Sequence, residues 1–68
     1  MCEFTVYLLE DNSESKTEIA KEIFAAMSKD GDTLLMNITG NAQIVKGAFI
    51  EEVSTLKQEL ILRRTPYI

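Results

Sequence analysis

The sequence contains no histidine, a single cysteine, Cys2, and a single proline, Pro66. With one cysteine the chain cannot form an internal disulfide, so this way of stabilising a small fold is excluded. Because there is no histidine and no second cysteine, any soft-metal or redox chemistry has to use Cys2. An enzyme is the least supported class, since no histidine base accompanies the thiol and no glycine-rich phosphate-binding loop is present.

Long apolar segments and basic leader segments are also absent. No stretch approaches the ~20 apolar residues of a membrane span, and no basic region precedes an apolar block as in a secretory signal. We therefore expect no membrane association, and the lone free thiol is typical of a reducing cytoplasm. The 7 basic side chains are outnumbered by 11 acidic ones, giving a net charge of −4. This balance argues against general nucleic-acid affinity.

The chain has 68 residues, which we interpret as one domain spanning residues 1–68. A domain of this size buries only about 60% of the surface that its unfolded chain exposes, so it is marginally stable alone. Without a disulfide, oligomerisation is a remaining way to enlarge the core.

The clearest strand lies in the first nine residues, where Phe4, Val6 and Leu8 alternate with Thr5, Tyr7 and Leu9, which suits a strand with one buried face. Asp30-Gly31 predicts a tight hairpin turn, Gly40-Asn41 predicts a second, and Gly47 predicts a bulge or sharp bend. Four further strands are expected at 33–39, 42–46, 48–53 and 59–64. Short strands joined by tight turns indicate a small antiparallel sheet or barrel.

Residues 15–28 are ambiguous. Ser15 and Glu18 match a helix capping box, and Ile19, Ile23 and Met27 follow at helical spacing. Local propensity thus favours a helix over 16–28, within an α+β fold. The competing interpretation is two strands, 15–19 and 23–28, with a kink at Lys21-Glu22.

Cys2 admits two interpretations. Free cysteine often serves as a small, partly buried apolar residue. Alternatively, the thiolate forms a chelate with a backbone nitrogen, either its own amine after removal of Met1 or its amide together with the Met1 amine. Two such chain beginnings meeting across a two-fold axis supply a planar N/S set, which suits Ni(II) or Cu(II) better than Zn(II). Such a site requires a homodimer.

Several features together resemble the CooT-like proteins. They are the Met-Cys-Glu start, Val6-Tyr7-Leu8, Asp30-Gly31-Asp32, Val45-Lys46-Gly47 and the final Leu60-Ile61-Leu62. HypC-like chaperones also begin Met-Cys, but usually continue with a Gly-Pro-rich segment, whereas this chain reads Glu3-Phe4-Thr5.

The CooT-like resemblance implies an all-β fold, a small antiparallel SH3-like β-barrel of about six to seven short strands, and hence strands rather than a helix in 15–28. It implies a homodimer that binds Ni(II) through Cys2, with Met1 as a further metal-site residue. The implied role is metallochaperone-like nickel delivery to a nickel-enzyme client in carbon monoxide dehydrogenase maturation. Related proteins have also been called RNA-binding.

Other polar residues are weaker candidates. Glu3, Glu10 and Asp11 lie near Cys2 in sequence and are interpreted as solvated charges rather than oxygen ligands. Asp30 and Asp32 lack the ligand spacing of a calcium loop.

The arginine pair and the glutamate pair complete the candidates. Arg63 and Arg64, with Tyr67, form the one basic-aromatic cluster, either an RNA contact or the charged protection of an edge strand. Glu51 and Glu52 are expected on opposite faces of a strand, where they cannot act on one substrate.

Overall fold

A computed structural model describes residues 3–10 and 14–65. Within these residues the chain forms six strands and no helix. They are β1 (Phe4–Leu9), β2 (Lys16–Lys29), β3 (Asp32–Asn37), β4 (Ala42–Val45), β5 (Ala48–Ser54) and β6 (Glu59–Arg64). The described part therefore also contains no helix that is long and apolar enough to cross a membrane.

The strands form one curled sheet in the order β4-β3-β2-β1-β6-β5. The sheet bends far enough for β5 to contact both β2 and β3, which makes it a half-barrel. The all-β prediction is confirmed. One neighbouring pair differs from the antiparallel expectation, because β1 and β6 are parallel. β1 and β6 come from opposite ends of the sequence, and no tight turn joins them. They can therefore pair in either direction, and local turn signals do not indicate which.

Residues 15–28 form no helix, so the local helix prediction was wrong. β2 is one long strand whose first half pairs with β1 and whose second half pairs with β3. Helix propensities differ by only tenths of a kcal/mol per residue. A helix here would remove the backbone hydrogen bonds that β1 and β3 make to β2. The predicted kink is confirmed at Glu22, which has a φ of 57°.

The core lies on the concave side of the sheet. Its fully or nearly buried members come from β1, β2, β3, β5 and β6: Val6, Leu8, Ile23, Leu35, Ala48, Leu60 and Leu62. The predicted alternation in β1 is confirmed at Val6 and Leu8, while Phe4 packs partly buried against the same cluster.

The predicted Asp-Gly turn joins β2 to β3. Asp30 and Gly31 have φ values of 54° and 85°, the pair of positive angles that a two-residue hairpin turn requires. The bend predicted at Gly47 separates β4 from β5, and its φ of 63° favours a residue without a Cβ atom.

Two hydrogen-bonded hydroxyl groups, those of Ser28 and Thr33, link β5 to the β2–β3 hairpin. The buried Thr33 hydroxyl donates to the Ala48 carbonyl at 2.8 Å and lies 2.6 Å from the Ser28 hydroxyl. The Ser28 oxygen accepts from the Ile50 amide at 3.0 Å. Because Thr33 has one proton, and gives it to Ala48, Ser28 must donate to Thr33.

Thr33→Val keeps the shape of the side chain and removes this link. We expect the free energy of unfolding to fall by about 1–3 kcal/mol, because the buried Ala48 carbonyl loses its side-chain donor and the Ser28 hydroxyl loses its acceptor. Urea denaturation measures the change. Thr17→Val, at an exposed position of β2, is the matched control and should change stability by less than about 0.5 kcal/mol. Equal effects at both positions would contradict a role for the hydroxyl chain.

Candidate functional site

The predicted metal-site residues, Met1 and Cys2, lie outside the described residues. The described chain begins at the half-buried Glu3, followed by Phe4, which pairs with Ile23 of β2. The strand that follows Cys2 in the sequence is therefore paired within the sheet from its first residue.

An apolar groove of about 190 Å³ opens beside Phe4. It exists because β2 leaves β1 at Ile23 and turns to pair with β3, so the second half of β2 faces β5 across a gap. Ala26, which lies opposite the buried Leu35, points toward the barrel interior and is nevertheless exposed. The groove is lined by Phe4, Ile23, Phe24, Ala25, Ala26, Ile50, Val53 and Leu60.

Carboxylates in the described part of the chain do not assemble a metal centre. Residues 3–10 and 14–65 contain no group of three or more His, Cys, Asp or Glu side chains placed to hold an ion. Glu10 contacts the Arg64 guanidinium at 3.3 Å, and Asp11 lies outside the described residues.

Both arginines of the predicted basic cluster are held by acids. Arg63 makes two hydrogen bonds to the Glu51 carboxylate, at 2.9 and 3.0 Å. Arg64 contacts Glu10 and donates to the Lys46 carbonyl at 2.8 Å. Guanidinium groups that face carboxylates are poorly placed to neutralise phosphates, which argues against the RNA interpretation. Tyr67 lies outside the described residues.

The alternative explanation of the arginines, protection of an edge strand, was wrong. β6 lies between β1 and β5 and is an interior strand of the sheet. The parallel pairing of β6 with β1 produces this position, and it cannot be inferred from the composition of β6 itself.

The separation predicted for Glu51 and Glu52 was also wrong. A register shift between Ile50 and Glu52 marks a bulge in β5, and bulges redirect side chains relative to strict alternation. Both carboxylates line one shallow cavity of about 210 Å³, shared with Glu14 and Glu59. The hydrogen bond from Arg63 lowers the pKa of Glu51, so Glu51 serves as an ion-pair partner and not as a proton donor.

Asp32 has a structural role at the corner between β4 and β5. Its carboxylate accepts the Gly47 amide at 2.9 Å and lies 3.6 Å from the Lys46 ammonium group. The Gly47 hydrogen bond, assisted by Lys46, lowers the pKa of Asp32. Asp32 therefore stabilises the corner between β4 and β5, a contact distant in sequence that the turn prediction for residues 30–32 did not include.

This lowered pKa predicts a pH dependence of stability. The unfolded chain takes up a proton at Asp32 before the folded chain does, so the stabilisation is present above about pH 4 and is lost as the pH falls through the lower folded value. In Asp32→Asn we expect a flatter acid limb in a plot of unfolding free energy against pH between 2 and 6. Parallel acid limbs in the variant and the wild type would contradict this origin.

Sequence inspection missed an exposed apolar surface on the convex side of β2, β3 and β4. Met27, Leu34 and Ile44 lie side by side there, each directly opposite the next in the strand register. Residues 34–36, Leu-Leu-Met, are apolar at odd and even positions alike. Alternation therefore does not reveal which side of β3 is buried. One available signal is charge, because residues 33–45 contain no charged side chain.

Comparisons with known proteins agree with the all-β fold described above. The family model described as CO dehydrogenase accessory protein CooT matches residues 1–63. The fold is similar to a crystal structure described as that of a CooT from Carboxydothermus hydrogenoformans, with a TM-score of 0.77, 20% identity, and coverage of 96% of this chain and 100% of that chain. At this identity the similarity establishes the fold alone. No curated protein matches the chain.

Proposed function

The chain belongs to the CooT family of CO dehydrogenase accessory proteins, and from that premise we propose that it is a cytoplasmic nickel-binding protein rather than an enzyme. In this proposal Ni(II) is cargo for a nickel-enzyme client, in the maturation of carbon monoxide dehydrogenase. Cys2 thiolates from two chains hold the ion at a homodimer interface. The observation that carries the proposal is the family match, which begins at the Met-Cys start and so includes the one thiol of the chain.

The position of the thiol in the chain supports this role. Cys2 precedes Phe4 by two residues in the sequence, and Phe4 lines the apolar groove. Phe4 is tied to the sheet through its pairing with Ile23. A ligand attached to a docked strand loses less conformational freedom on binding than a ligand on a free tail.

The donor chemistry explains the need for two chains. Thiolate is a soft ligand, and together with amine or amide nitrogen it satisfies the tetragonal preference of Ni(II). One chain supplies a single thiolate, and its described carboxylates form no cluster able to complete the shell. Two Cys2 thiolates with two backbone nitrogens, or with the Met1 amines, make a four-donor set.

Nickel titration tests the proposal. The purified protein should develop thiolate-to-nickel charge-transfer absorption that saturates at one nickel per two chains. Absence of the band would contradict nickel binding through sulfur. Saturation at one nickel per chain would contradict a site shared by two subunits. In the first case Cys2 would be reassigned as a structural residue of a protein-interaction barrel. In the second case Cys2 would remain a nickel ligand, in a site confined to one subunit.

A further inference from the structure

The convex side of β2, β3 and β4 presents an apolar surface that no described residue covers. On β3, Thr33 and Leu35 are buried and face the core. Leu34 and Met36, at the alternate positions, therefore face outward. The register places six apolar residues together on this outer side, which we call the β2–β3–β4 face: Met27, Leu34 and Ile44 in one row, and Ala25, Met36 and Ala42 in the next.

The opposite part of the sheet shows that this is not a general property of the convex side. Outward positions of β1 pair there with charged residues: Thr5 with Glu59, Tyr7 with Glu18, and Leu9 with both Lys16 and Arg63. The outward-facing Ile61 is only 7% exposed. On the β2–β3–β4 face, by contrast, Met27 is 54% and Ile44 62% exposed.

Charge distribution identifies which partner fits the face. Residues 23–28 and 33–45 contain no charge at all. At the rim, two lysines and two aspartates cancel: Lys29, Asp30, Asp32 and Lys46. The rest of the chain then holds 5 basic and 9 acidic residues, which account for the entire net charge of −4. Two identical acidic chains repel each other through the surfaces that carry this excess of acidic residues, whereas this face adds no repulsion.

The free edge beside the face is also open to association. β4 and β5 are the two edge strands of the described sheet. β5 is protected against pairing with another strand by its bulge and by the charged residues Glu51 and Glu52. β4, with the sequence Ala-Gln-Ile-Val, pairs with β3 without a register shift and has no charged residue.

We propose that a second copy of this chain packs on the β2–β3–β4 face, with the two sheets stacked about a two-fold axis. This inference rests on the homodimer of the proposed function and assigns its contact surface. In the stacked pair, the depression of about 250 Å³ between Met27, Leu34 and Ile44 receives the Ile44 side chain of the other copy. The Lys29 ammonium group of each chain meets the aspartates of the other.

The location of the face agrees with a shared thiol site. Ala25, at one end of the face, lies two residues from Ile23, which pairs with Phe4. Cys2 precedes Phe4 by two residues in the sequence. A two-fold axis near the Ala25 end therefore passes close to the start of β1 in both subunits.

Ile44→Glu and Met27→Glu test the assignment. Both side chains are more than half exposed, so the folded subunit should survive, as judged by circular dichroism and urea denaturation. Buried glutamates at a two-fold contact face each other, and we expect the dimer dissociation constant, from sedimentation equilibrium with and without nickel, to rise at least about 100-fold. Leu56→Glu is the matched control, because Leu56 is 93% exposed on the β5–β6 turn, and it should remain dimeric.

A third variant tests the apolar groove beside Phe4 as the alternative contact surface of the dimer. Val53→Glu places the same charge in the apolar groove, at a side chain that is 57% exposed. A monomeric Val53→Glu with dimeric Ile44→Glu and Met27→Glu would overturn the assignment in favour of the groove. A monomeric wild-type protein under all conditions would also overturn it. If the dimer is lost through Ile44→Glu but the wild-type protein binds no nickel, the surface assignment stands and the proposed function fails.

Discussion

Replacing Cys2 with serine is expected to abolish the thiolate-to-nickel absorption and to weaken nickel binding by more than about 100-fold. Loss of an outer-shell partner alone typically lowers metal affinity roughly 10–100-fold, and this change removes the soft ligand itself. A hydroxyl group remains protonated at neutral pH and is a poor ligand for Ni(II). Isothermal titration calorimetry of the wild-type protein and the variant, at one pH, measures the difference.

Two controls locate the effect in the sulfur. Cys2→Ser should keep the circular dichroism spectrum and the urea midpoint of the metal-free wild-type protein. Glu3→Gln removes the carboxylate of the residue that follows Cys2 in the sequence while keeping its size, and it should bind nickel as the wild-type protein does. Retained affinity in Cys2→Ser would exclude the thiol as a ligand. Lost affinity in Glu3→Gln would instead assign an oxygen ligand that we interpret as a solvated charge.

Leu62→Ala is expected to lower the free energy of unfolding by about 2–5 kcal/mol. Leu62 is fully buried in β6, between Leu8 of β1 and Ile50 of β5. Truncation leaves a cavity where the parallel and antiparallel parts of the sheet meet. A chain of this length has roughly 3–10 kcal/mol of total stability, so the substitution removes a substantial part of it and should lower the urea midpoint clearly.

Leu56→Ala is the matched control for this experiment, because the same substitution is made at a side chain that is 93% exposed. It should change stability by less than about 0.5 kcal/mol. Both variants are compared by urea denaturation at one protein concentration, since dimerisation makes apparent stability concentration-dependent. A Leu62→Ala protein as stable as the control would contradict the assignment of β6 to the centre of the core.

The stretch from Lys16 to Lys29 shows where local inference ends. Its capping box and alanines favour a helix, yet it forms the strand that holds the sheet together. The resemblance to a known family corrected this prediction, whereas propensity did not. The physical cause is that β2 pairs with two different strands, and such long-range pairing outweighs small intrinsic preferences.

The candidate site was predictable to a smaller extent. Absence of histidine and of a second cysteine already directs soft-metal chemistry to Cys2, without any coordinates. The apolar groove beside Phe4 and the β2–β3–β4 face were not predictable, because each arises where strands distant in sequence come together. The pairing of Arg63 with Glu51 likewise depends on the bulge in β5.

The sequence by itself determined the positions of five strands, the Asp30-Gly31 turn and the bend at Gly47. These features follow from period-two alternation and from the backbone freedom of glycine, which act over a few neighbouring residues. Only the tertiary structure decided the parallel β1–β6 pair, the strand at Lys16–Lys29 and the outward direction of Met27, Leu34 and Ile44. Strand order and register depend on burial across the whole sheet, and a one-residue change of register exchanges the buried and exposed faces of a strand.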